Sequence, residues 1–148
     1  LDGRAPELIP VERRQCSEHR AIEVGLDWLA EATRAAKFDI DAVRELVDLA
    51  ARHYAAEEPF LAALAIADPK LAAKLRAQHD EALEIGARLI ESLEAGCVTD
   101  TAYLSRRFMA MAQHNIIEEE RDVFPLVERI AGSQNKPTTA AESCFRSQ

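Results

Sequence analysis

The stretch His114-Asn115-Ile116-Ile117-Glu118-Glu119-Glu120 and its earlier echo, His53-Tyr54-Ala55-Ala56-Glu57-Glu58, decide how this chain is read. In each, a histidine stands four residues ahead of a glutamate inside a long helical pattern. Positions i and i+4 of an α-helix lie one above the other on the same face. An imidazole nitrogen and a carboxylate therefore point the same way, at ligand spacing. The two remaining histidines, His19 and His79, fall on separate helical segments. Four facing helices carrying four histidines and two glutamates would make a cage for two metal ions.

Working outward, apolar periodicity defines the four segments. Leu1–Pro10 holds two prolines and a glycine and reads as an extended lead-in. From Val11 to Lys37, residues Cys16, His19, Ile22, Leu26, Leu29 and Thr33 recur at three- and four-residue steps and build one buried face. Asp39 or Asp41 caps a second helix that runs to Ala67. There Val43, Leu46, Ala50, His53, Glu57, Phe60 and Leu64 form one seam, which puts a histidine and a glutamate among core positions. Pro59 should kink that helix or loosen its hydrogen bonding one turn earlier.

Asp68-Pro69 is a helix start, and Gly96 is the matching stop. Between them lie Leu71, Leu75, His79, Ala82, Gly86, Leu89 and Leu93. Thr99 or Asp100 caps the fourth helix, which presents Leu104, Phe108, Met111, His114 and Glu118 on one side. Phe124-Pro125 ends or bends it, and Leu126–Ile130 forms a further short helix. Residues 131–148 are polar and unpatterned and read as a tail. Strand signals are absent and linkers are short. The expectation is an all-α, up-down-up-down antiparallel four-helix bundle over residues 11–130.

Composition narrows the function classes. The net charge is −8 (18 basic against 26 acidic residues), with no basic stripe, so nucleic acid is not expected as a partner. No run approaches the roughly 20 apolar residues of a membrane span, and Leu1–Pro10 lacks the pattern of a signal peptide. Cys16, Cys97 and Cys144 are odd in number, widely spaced and without a C-x-x-C pair. No disulfide framework or thiolate zinc site is expected, and a reducing cytoplasm follows as the compartment.

Imidazole and carboxylate donors without thiolate suit iron, manganese or zinc. If Glu57 and Glu118 each bridge two ions and each ion takes two histidines, a shared oxo or hydroxo bridge leaves about two positions open to small molecules. Plainer readings stand beside this one. His53–Glu57 and His114–Glu118 could be exposed helix pairs of small benefit, and His79, in Gln78-His79-Asp80-Glu81, has the most polar setting. Tyr54 reads as a bundle-edge tyrosine ahead of a hydrogen-bond donor near the metal or a metal ligand, and Glu23 as exposed ahead of an extra carboxylate ligand. Glu58, Glu119, Glu120 and Asp122 read as a solvated acidic face, and Cys16 as a small core residue.

The order of these motifs resembles the haemerythrin-like proteins of the HHE cation-binding type. It has a lone His on the first helix, His-x-x-x-Glu on the second, a His on the third and His-x-x-x-Glu on the fourth. The likeness spans residues 11–130. It implies a non-haem centre of two iron ions, with His19 and His53 on one, His79 and His114 on the other, and Glu57 and Glu118 bridging. It also implies small-molecule partners: O2, hydrogen peroxide or nitric oxide, to be sensed, buffered or detoxified. A catalase- or peroxidase-like enzyme and an iron storage or trafficking protein are the alternatives, and a homodimer is compatible with the pattern. The oxygen carriers of the family have a further histidine one turn from the third-helix ligand. Leu75 and Leu83 stand there instead, which argues against reversible O2 carriage.

Overall fold

A computed structural model of the chain describes residues 4–132, with side chains over 15–130. Beyond Gly132 the expected tail lies outside the described residues, as does Cys144. Among the described residues all structure is helical. The elements are α1 (Arg4–Ala35), α2 (Ile40–Ala67), α3 (Pro69–Ala95), α4 (Val98–Glu118), a π-helical turn over Glu119–Val123, and α5 (Phe124–Gly132).

The helix ends follow from local chemistry. The Asp39 carboxylate accepts from the backbone N–H groups of Asp41 at 3.0 Å and Ala42 at 3.4 Å, starting α2. Asp68 accepts from Leu71 N at 3.0 Å, and Pro69 follows at a position where a missing N–H costs nothing. Gly96, at φ 72°, closes α3 in the left-handed region. α2 continues through Pro59 without a break.

Two starts differ from expectation. α1 begins at Arg4 rather than after a lead-in ending at Pro10; Pro6 falls in its first turn, where proline is tolerated. α4 begins at Val98. The Cys97 carbonyl accepts the N–H of Thr101 at 3.0 Å and its hydroxyl at 2.8 Å, so neither Thr99 nor Asp100 caps this helix. The cysteines also depart from expectation. Cys97 is a free thiol, but Cys16 is disulfide-bonded. Spacing along a chain does not report distance in space, so odd, scattered cysteines concealed a pairing.

The chain divides into two compact units: the part up to Arg20 with the part from Ile116 onward, and Ala21–Asn115. In the second, successive helices run antiparallel. Along α2 and α3, Arg44 meets Glu94, Val47 lies against Gly86, Tyr54 stacks on His79, and Glu58 meets Arg76, one helix ascending as the other descends. α3 and α4 do the same through Ser92–Thr101, Glu81–Arg107 and Gln78–Asn115. Leu29, Val43, Leu75, Leu89 and Phe108 are wholly buried here, and each large apolar side chain so buried stabilises the fold by about 1.5–3 kcal/mol. In the first unit, Ile116, Val123, Phe124 and Val127 form the apolar core.

Candidate metal centre

Within Ala21–Asn115, α2 brings His53 and Glu57 inward on its seam, and α3 supplies His79. All three are buried. His53 Nε2 lies 2.9 Å from Glu57 Oε2, and His79 Nε2 lies 3.2 Å from Glu57 Oε1. One carboxylate thus turns a different oxygen to each of two imidazoles. The Tyr54 ring stacks on His79 with centroids 4.0 Å apart and planes 9° from parallel, so this tyrosine is buried at the cluster rather than at a bundle edge. Beside it an open cavity of about 580 Å³, bordered by Tyr54, His79 and the Arg76–Glu58 ion pair, reaches the surface.

In the other unit, the π turn and α1 build a second cluster. His19 is fully buried, with Nδ1 2.9 Å from Glu120 Oε2 and Nε2 2.9 Å from Glu119 Oε1. Arg20 donates to the same oxygen of Glu120, and the Phe124 ring stacks on His19 at 5.8 Å. A neutral imidazole has one N–H and one lone pair. It can donate to one of these carboxylates only. The other contact sets a lone pair against a carboxylate oxygen and is satisfied by a proton or by a cation between the two atoms. This donor set fits a metal ion. A metal-binding histidine commonly gives its other N–H to a carboxylate; Glu120 would play that part if His19 Nε2 and Glu119 held an ion.

Glu119 and Glu120 are each 1% exposed, which corrects their reading as a solvated face. Glu118 is buried too, but the carboxylate facing His19 Nε2 is that of Glu119. His114 lies on the exposed side of α4, while its neighbour Asn115 turns inward and donates from Nδ2 to Gln78 Oε1 at 3.2 Å. The inward line of α4 runs through Phe108, Ala112 and Asn115 in steps of four and three, one residue out of register with the line through Met111 and His114. Within the unit Ala21–Asn115 the structure brings together His53, Glu57 and His79, and within the other unit it places His19 with Glu119 and Glu120. Glu23 is only partly buried.

The π turn explains why three consecutive glutamates are buried. Pro125 has no N–H and its ring crowds the carbonyl four residues earlier. The chain widens there instead, and Phe124 N–H reaches back five residues to the Glu119 carbonyl. An inserted residue in a helical turn shifts the face presented by its neighbours, and such turns gather at functional sites. On its outer side, Arg121 forks onto Asp122 at 3.0 Å, which raises the guanidinium pKa above its ordinary value.

Gln15, one turn before His19, was passed over by the sequence reading. It is 1% exposed, and neither its amide nitrogen nor its amide oxygen has a hydrogen-bond partner. A buried polar group left unsatisfied costs roughly 1–3 kcal/mol. Its four-residue spacing from His19 was the signal that could have found it.

Residues 16–138 match the family model of the Hemerythrin HHE cation binding domain. No curated protein and no solved structure matches the chain. No helix among the described residues is long and apolar enough to cross a membrane.

Proposed function

We propose that this chain, which belongs to the hemerythrin HHE cation-binding family, binds two iron ions and reacts through them with O2, peroxide or nitric oxide. The observation that carries the reading is Glu57, whose two oxygens each face a separate imidazole, that of His53 and that of His79. A carboxylate bridging two ions needs that disposition. His19 and Glu119 add nitrogen and oxygen donors of the same kind. Donors of this hardness, with no thiolate among them, suit iron. Iron supplies redox chemistry with small oxygen and nitrogen species. The residues orient and enclose it: Glu120 and Arg20 hold the His19 ring, and stacked Tyr54 backs His79.

His114 and Glu118 stand apart in this proposal. The exposed face of α4 carries the first, and Glu119 occupies the place beside His19 expected for the second. A peroxide-consuming role is favoured over O2 carriage by Leu75 and Leu83, which stand one turn either side of His79 where the carriers have their extra ligand. The Cys16 disulfide removes the cysteine argument for a reducing compartment.

The test is elemental analysis of protein purified from iron-supplemented cells, with optical spectra before and after adding peroxide. About two irons per chain and a spectrum that responds to peroxide are expected. Stoichiometric zinc, or no bound metal, would sink the proposal.

A further inference from the structure

Gln15 has a buried amide with nothing to bond to, and it stands one helical turn, about 6 Å of rise, from the fully buried His19. Native proteins seldom bury polar groups in that state, and an apolar side chain of the same length would fill the space without the penalty. The amide's chemistry indicates what it awaits. It presents two N–H donors and one carbonyl acceptor, so it is satisfied by a molecule that both accepts and donates.

We propose that Gln15 is a positioning residue that holds hydrogen peroxide beside His19. The peroxide oxygen accepts from Nε2 of Gln15 while its O–H donates to Oε1. Dioxygen and nitric oxide carry no hydrogen to donate, so they would leave the carbonyl unsatisfied. The side chain thus selects peroxide among the small molecules open to the family. The neighbouring groups agree with a neutral ligand rather than an anion. Glu119 and Glu120 face His19, and a negatively charged guest would meet their carboxylates.

This inference rests on the cation-binding reading, and the experiment separates the two. Wild type and Gln15→Leu are compared for iron content, for apparent affinity toward peroxide and toward nitric oxide, and for melting temperature without metal. Losing the paired hydrogen bonds should weaken peroxide by about tenfold and leave nitric oxide within about twofold. Iron content should not change, and the metal-free variant should melt higher than wild type. Undiminished peroxide affinity with full iron content would show a structural water only, overturning this inference while the metal centre stands. Equal loss toward both ligands would also overturn it. Wild type that takes up no metal would bring down both readings. Should Gln15→Leu not fold, Gln15→Met makes the same comparison with an unbranched chain.

Discussion

At Glu57 the physical demand is plain. Two imidazole nitrogens approach the two oxygens of one carboxylate that has no access to water. Removing that side chain should cost the protein its metal, while removing His114, which faces solvent, should not. Elemental analysis of Glu57→Ala and His114→Ala checks both, and metal loss in the second would return His114 to the ligand set. Glu120 makes a finer case. Its carboxylate touches His19 Nδ1 and Arg20, so it acts by orienting a ring and keeping its proton in place. Partners of that kind typically contribute 10–100-fold in metal affinity. Glu120→Gln should lower affinity by about that factor while the metal stoichiometry at saturation is kept; a competition titration with a coloured chelator reads it. Glu119 and Glu120 were illegible in the sequence because a run of glutamates after Ile117 fits a solvated helix face. The π turn that buries them arises from Pro125, five or six residues on, which simple helical periodicity does not register.

At the scale of elements, the packing of α2, α3 and α4 turns on one close approach. A Cβ placed at Gly86 would lie 2.9 Å from Val47 Cγ1 and 3.3 Å from Phe108. Helix propensity alone favours alanine over glycine by about 1 kcal/mol. The crowding runs the other way, since overpacking a tight core costs about 1–3 kcal/mol. Val47 is β-branched and stiff, and Phe108 is wholly buried, so neither gives way easily. Gly86→Ala should therefore destabilise the protein by about 1 kcal/mol net, read as a lower urea midpoint at unchanged slope; a raised midpoint would refute the close packing. These elements were largely legible beforehand. Val43, Leu46, Ala50, His53, Glu57, Phe60 and Leu64 form the α2 seam in both sequence and structure. Asp39, Asp68 and Gly96 end helices by the means their side chains suggest. On α4 the expected line is right at Leu104, Glu118 and Phe108, all buried, and fails at Met111 and His114, just after Phe108. Beyond it, Met111–His114 and Ala112–Asn115 offer two inward lines of similar spacing, and single-chain periodicity cannot choose between alanine–asparagine and methionine–histidine. Tertiary contact chose, through Asn115 on Gln78.

For the whole molecule, the governing fact is buried negative charge. Glu57, Glu118, Glu119 and Glu120 are each no more than 3% exposed, in a chain whose net charge is already −8. Among the described residues, the Arg20 guanidinium reaches Glu120. Sequestering carboxylates from water costs several kcal/mol each unless opposite charge meets them. A cation that binds the folded chain and not the unfolded one returns that cost as stability, about 4.1 kcal/mol when present at a thousand times its dissociation constant. For a chain of this size each kcal/mol moves the midpoint by about 2–4 °C. Ferrous iron added anaerobically should therefore raise the melting temperature by about 10 °C, and a chelator should reverse the gain. Glu57→Ala should abolish the increment, whereas His114→Ala should keep it. The two variants separate a bound centre from general screening of an acidic protein, because screening would raise both alike. A melting temperature indifferent to iron would mean that protons, not metal, neutralise these carboxylates in the folded state.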